Sequence, residues 1–205
     1  MARPVIDFWY EFASTYSYPA AMIVDDLAAA AGVAVRWRPF LLGPLFKAQG
    51  WDTSPFNIYP AKGDYMWRDM ARICAARGLA LRRPDPFPQN SLLAARVALT
   101  SAVTPMRAAY SRAVYEAEFG RGEPIGEPET LVDVLAGLGL EADAVLAEAQ
   151  SDEGKMCLRE ATDEARGLGI FGAPSMVTAD GELFWGHDRL EEALAWACRG
   201  GHDIL

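Results

Sequence analysis

Val5-Ile6-Asp7-Phe8-Trp9-Tyr10-Glu11-Phe12, Ala13 and then Ser14-Thr15-Tyr16-Ser17 form the stretch that decides the fold of this chain. The first eight residues are an apolar, strongly aromatic run that reads as a strand. Tyr18 to Ala31 then reads as a helix. Residues 33–37, Val-Ala-Val-Arg-Trp, read as a second strand, parallel to the first with the 16–31 helix as crossover. Ser14 therefore stands where a strand ends and a helix begins. Its hydroxyl lies near unsatisfied backbone N–H groups and the positive end of the helix.

Beyond the second strand the pattern changes. Pro39 to Pro60 is rich in Gly, Pro and aromatic residues and reads as loop with short turns. From Asp64 to Gln150 only helical patterns are found. Asp64 to Arg77 puts Trp67, Met70, Ile73 and Cys74 on one face, with Gly78 as a C-terminal cap. Thr104-Pro105 and Pro128 start further helices, the second with Leu131, Val134, Leu135 and Leu138 as its stripe. Ser151-Asp152-Glu153 opens a last long helix to about Leu168. Two short strands follow, Ser175–Thr178 and Glu182–Trp185, joined by the hairpin turn Asp180-Gly181. A terminal helix with Leu190, Leu194 and Ala197 inward closes the chain.

The order is βαβ, a block of helices, then helix–β–β–α. The expected fold is α/β: a thioredoxin-like core (1–38 plus 165–205) with an inserted all-helical subdomain (39–164). In such a core the first strand–helix junction carries Cys-x-x-Cys, and a cis-proline loop faces it. Here Ser14 and Ser17 hold the outer positions, and Phe171-Gly172-Ala173-Pro174-Ser175 reads as the facing loop. Dithiol exchange is excluded at this junction. Sulfur chemistry there needs a thiol carried by a ligand.

Composition narrows the partners. The chain has 205 residues, 51% of them hydrophobic and 6 of them Trp, enough for a sizeable core. A formal charge of -9 argues against nucleic acid and anionic membrane surfaces. No apolar run approaches the ~20 residues of a membrane span. Met1-Ala2-Arg3-Pro4 leads straight into a strand without a signal-peptide pattern, so a cytoplasmic location is expected. Cys74, Cys157 and Cys198 are odd in number and far apart. They read as buried thiols of a reducing compartment, not as a disulfide framework or a metal site.

Several residues can carry chemistry. Ser14 is either a helix cap or a donor to an anion; no His or Lys adjoins it in sequence to make it a nucleophile. The anion proposed is a thiolate, whose pKa of about 8.5 falls near a helix N-terminus. Ser17 belongs to the first turn. Ala173, before an expected cis-Pro174, offers its backbone to a peptide as an added strand, which suits the cysteinyl unit of glutathione. Lys62, in a loop between Pro60 and Gly63, is either solvated or meets a ligand carboxylate. Asp188 is either a helix cap or receives a ligand ammonium. His187 reads as a surface residue, and His202 as having no role.

Four motifs together resemble the 2-hydroxychromene-2-carboxylate isomerases and kappa-class glutathione transferases, in the DsbA-like branch of the thioredoxin superfamily. They are Asp7 to Tyr18, Pro60-Ala61-Lys62-Gly63-Asp64-Tyr65, Gly169-Ile170-Phe171-Gly172-Ala173-Pro174 and Trp185-Gly186-His187-Asp188-Arg189-Leu190. The resemblance implies that Ser14 holds a glutathione sulfur, and that Lys62 and Asp188 bind the tripeptide. It implies that Ala173, beside Pro174, pairs through its backbone. A glutathione-contacting Asn of the kappa enzymes aligns near Thr53, with Asn57 close by, and His187 stands where Ser or Asn is common. The expected activity is a glutathione-dependent isomerisation of an aromatic-derived unsaturated acid by reversible thiolate addition. Phe40, Phe46, Trp51, Phe56 and Tyr65 are expected around its apolar pocket. A kappa-like transferase or peroxidase, and a non-catalytic thiol-peptide binding module, are the alternatives. A homodimer is expected from the same resemblance.

Overall fold

A computed structural model describes residues 3–199. Strand β1 (Val5–Tyr10) leads into helix α1 (Ser17–Ala31), which returns to β2 (Ala34–Pro39). β1 and β2 are parallel, with Phe8 opposite Trp37. Helices α2 (Leu42–Ala48), α3 (Pro55–Ile58), α4 (Pro60–Arg77), α5 (Leu92–Val97) and α6 (Arg107–Tyr115) follow. A π-helical turn over Glu116–Arg121 extends α6, and α7 (Pro128–Gly137), α8 (Ala142–Gln150) and α9 (Asp152–Gly167) complete the helical block. β3 (Ser175–Thr178), β4 (Leu183–Trp185) and α10 (Leu190–Arg199) close the described chain. The sheet order is β2-β1-β3-β4, with β3 antiparallel to both neighbours. This is the expected α/β arrangement: a parallel crossover pair and a hairpin share one sheet.

β1 is central and covered on both faces, which explains its near-continuous apolar sequence. Ile6, Phe8 and Tyr10 join a large core with Tyr110, Val114 and Tyr115 from α6 and Phe119 from the π turn. Trp9 points the other way, into a smaller cluster with Phe40, Leu45, Ala165 and Ile170. The helical block thus shares its core with the sheet. Gly32 and Gly78 end α1 and α4 in the left-handed conformation, at φ 71 and φ 66.

Some expectations are corrected. The 39–60 segment is not all loop: α2 and α3 lie in it, and Pro55 opens α3 behind Ser54, whose hydroxyl accepts from the Phe56 N–H at 3.3 Å. α4 begins at Pro60, so Lys62 lies in its first turn and not in a loop. Proline pre-set for the first turn is the physical reason. Residues 79–91 are not helical, because Pro84, Pro86 and Pro88 cannot donate to a helix ladder. The Asp85–Pro86 and Phe87–Pro88 bonds are cis. The three cysteines are free thiols, and only Cys74 is buried; Cys157 is intermediate and Cys198 exposed. Among the described residues, no helix is long and apolar enough to cross a membrane. His202 lies outside the described residues.

Candidate active site

The turn that follows β1 delivers Ser14. Its N–H donates to the Glu11 carbonyl at 3.0 Å, and its own carbonyl accepts from the Ser17 N–H at 3.1 Å. The helix cap position belongs to Tyr16, with no side-chain cap bond, so Ser14 is not the side-chain cap of α1. The Ser14 hydroxyl instead reaches across to the facing loop and donates to the Ala173 carbonyl at 2.9 Å. The Ala173–Pro174 bond is cis, as expected. Among the described residues, the N–H groups of Thr15, Tyr16 and Ala173 make no hydrogen bond.

These groups line one cavity of about 1260 Å³. Lys62, Thr53, His187 and Asp188 line it too, as do Phe46, Trp51, Phe56 and Tyr65. The sequence-predicted set is therefore largely brought together, with three exceptions. Asn57 is outside the lining and donates to Thr53 Oγ1 at 3.2 Å and to the Phe87 carbonyl at 3.3 Å, so it ties the loop to its neighbour. Phe40 is buried against Trp9, with ring centroids 6.0 Å apart. Pro174 is outside the lining, although Ala173 before it belongs to it. Ser17 is fully buried and also outside the lining.

Close packing sets the positions of the polar groups. A Cβ on Gly63 would stand 2.4 Å from the Phe56 carbonyl oxygen, so only glycine lets α3 lie against the start of α4. Lys62 Nζ then rests 5.6 Å from the centre of the Phe56 ring. Gly186, at φ 116, lies so close to Asp188 that a Cβ would meet Oδ1 at 2.5 Å. His187 stacks on Tyr16 with centroids 5.4 Å apart. Burial holds its pKa below the usual 6.5, so it is neutral at neutral pH. The Tyr16 hydroxyl donates to Asp69 at 3.0 Å, and Thr15 donates to the Met66 sulfur. Phe171 and Trp185 pack together at the rim, half-exposed.

Two parts of the site were not anticipated. The proline-rich segment contributes Phe87, Pro88, Gln89, Asn90 and Ser91 to the lining. Glu11 also lines the cavity, and its carboxylate accepts a hydrogen bond from the Ser91 hydroxyl. Burial pushes the Glu11 pKa up to about 7, against the lowering effect of the Ser91 and Ala13 donors. A lone acid inside the aromatic run Phe8 to Phe12 was the sequence clue to this group.

The model of the DSBA-like thioredoxin domain matches residues 5–195. The chain belongs to this family. A 2-hydroxychromene-2-carboxylate isomerase of Sphingobium xenophagum is 31% identical over 188 residues, covering 91% of this chain and 94% of that protein. A kappa glutathione S-transferase (kappa 2) of Caenorhabditis elegans is 26% identical, over 93% of this chain and 90% of its own length. A solved 2-hydroxychromene-2-carboxylate isomerase superposes with a TM-score of 0.84 at 28% identity, covering 98% of this chain and 99% of the other.

Proposed function

We propose that this chain is an enzyme, a glutathione-dependent isomerase of the 2-hydroxychromene-2-carboxylate type. The observation that carries the reading is the Ser14 hydroxyl beside the Ala173–cis-Pro174 turn, on the wall of a cavity with no cysteine in its lining. The relatives named above include isomerases and kappa transferases over nearly the whole chain. Both kinds of name fit a site that lacks its own thiol.

The residues present fit glutathione. Lys62 offers a cation to a carboxylate, and Asp188 a carboxylate to the ammonium end. Ala173 offers an unengaged N–H to the peptide, and Thr53 a hydroxyl nearby. Bound glutathione would supply a thiolate that adds reversibly to an electrophilic carbon. Ser14 has one rotatable proton, now given to Ala173; turning it to a sulfur anion gives a charge-assisted bond. The Thr15 and Tyr16 N–H groups and the start of α1 add positive potential at the same place. His187, being neutral, adds no competing charge. The cavity exceeds the 300–1,000 Å³ typical of a single-ligand pocket, which leaves room for a second molecule. Phe46, Trp51, Phe56 and Tyr65 suit an aromatic-derived acid there. A cytoplasmic location and a homodimer belong to the same proposal. Exposed Ile58, Tyr59 and Tyr65 offer apolar surface to a second copy.

The test is interconversion of 2-hydroxychromene-2-carboxylate, followed by absorbance with and without glutathione. The expected result is a rate that needs glutathione and leaves its concentration unchanged. Consumption of glutathione would mean a kappa-like transferase or peroxidase. No acceleration at all would leave a thiol-peptide binding module.

A further inference from the structure

Among the described residues, the buried charged residues are two glutamates, Glu11 and Glu118. They differ in one respect. Glu11 lines the cavity together with Ser91, its hydrogen-bond partner, whereas Glu118 does not reach it. Glu11 also belongs to the turn that delivers Ser14: its backbone carbonyl accepts from the Ser14 N–H at 3.0 Å and from the Tyr115 hydroxyl at 2.9 Å. Glu118 sits in the π turn with neither carboxylate oxygen hydrogen-bonded. Such turns recur at functional sites.

An ionised, unpaired carboxylate in this interior is too costly to persist. Burial first, and the Glu11 charge second, push the Glu118 pKa well above the usual carboxylate range. Glu118 therefore stays protonated, and the pair holds at most one negative charge, on Glu11. Tyr115 from α6 and Glu118 from the π turn are the titratable groups coupled to the Glu11 carboxyl. Tyr10 of β1 acts on Tyr115, and Arg107 of α6 acts on Tyr10. With the titration of Glu11 near neutrality, both of its forms are populated under working conditions.

We propose that Glu11, acting through the Ser91 hydroxyl, is the proton store of this cavity: it protonates the substrate oxygen that gains charge when the double bond is attacked, and recovers that proton when the adduct breaks down. The inference rests on the isomerase reading above. In the forward step a carbon–sulfur bond forms and the π pair moves onto the substrate oxygen. Ser91 passes its proton to that oxygen and is reprotonated by the Glu11 carboxyl, which becomes a carboxylate. In the return step the electron pair re-forms the double bond, the carbon–sulfur bond breaks and the proton travels back. Nothing is oxidised or reduced.

Glu11→Gln, Glu11→Asp and Ser91→Ala test this. In the ligand-free wild type, carbon-13 NMR should find one glutamate carboxyl titrating near pH 7, absent from Glu11→Gln. Ser91→Ala removes a donor to the charged form, so that titration should rise by about 1–2 pH units. With 2-hydroxychromene-2-carboxylate and glutathione, Glu11→Gln should lose roughly 100-fold in kcat and the alkaline limb of the pH profile. Glu11→Asp should restore part of the rate. Glutathione affinity by calorimetry should stay within about twofold. A Glu11→Gln enzyme with wild-type rate and limb would overturn the inference alone, as would rate and glutathione binding lost together. If Glu11→Gln does not fold, the Ser91→Ala limb decides, and an unmoved limb overturns it. A wild type that binds no glutathione or fails to isomerise overturns the isomerase reading and this inference with it.

Discussion

Replacing Glu11 by glutamine should make the protein's stability less sensitive to alkaline pH. The folded Glu11 carboxyl titrates at about 7, against 4.5 for an unburied glutamate, because burial disfavours its charge. The folded state thus binds a proton more tightly than the unfolded one. Its contribution to stability is fully present below about pH 4.5 and is lost as pH rises through 7. A displacement of about 2.5 pH units at 1.36 kcal/mol each is worth roughly 3 kcal/mol, of which about 2.5 kcal/mol falls between pH 5 and pH 8. Glutamine has the same shape and no charge to bury. Relative to wild type, Glu11→Gln should therefore gain about 2.5 kcal/mol from pH 5 to pH 8. Urea unfolding at the two pH values, followed by tryptophan fluorescence, measures this. With a slope of 1–3 kcal/mol/M, the midpoints should diverge by about 1 M. Midpoints that move in parallel for the two proteins would refute the buried, protonatable carboxyl.

Ser14→Ala should raise the pKa of bound glutathione thiol by about 1–2 pH units, because a bond to the sulfur anion contributes roughly 1.5–3 kcal/mol; ultraviolet thiolate absorbance against pH reads it. Gly63→Ala should destabilise by roughly 1–3 kcal/mol, because a Cβ 2.4 Å from the Phe56 carbonyl oxygen forces α3 and α4 apart. A thermal melt should show a fall of about 2–4 °C per kcal/mol, with weaker glutathione binding as Lys62 moves. Asp188→Ala should weaken glutathione binding about tenfold but leave cysteinylglycine, which lacks the γ-glutamyl unit, unaffected. Its exposed carboxylate sets the low end of the range for a charged contact, and calorimetry with both ligands checks it.

The frame was legible where the chain punctuates itself. The aromatic run Val5 to Phe12 read as a strand, and Asp180-Gly181 marked the hairpin. The four motifs placed Ser14, Lys62, Ala173 and Asp188 around one cavity although about 160 residues separate Ser14 from Ala173. Local pattern failed where position depends on a neighbour. Asn57 is outside the cavity lining, and its amide is engaged by Thr53 and Phe87. Phe40 is core because Trp9 turns to that side of the sheet. Pro84, Pro86 and Pro88 already forbade a helix, yet nothing local reveals that their segment forms a cavity wall. Glu118 was illegible for another reason. It continues the stripe of Tyr110, Ser111, Val114 and Tyr115 at helical spacing, but a charged residue type on that stripe gives no sign of burial.

The central claim is that this cavity holds glutathione as a thiolate at Ser14. Titrating the ultraviolet thiolate absorbance of glutathione in the presence of excess wild-type protein tests it most directly. The bound thiol should titrate near 6.5 instead of about 8.5, a stabilisation of roughly 2.7 kcal/mol. No binding at millimolar glutathione, or a bound thiol that titrates as it does free in water, would contradict it.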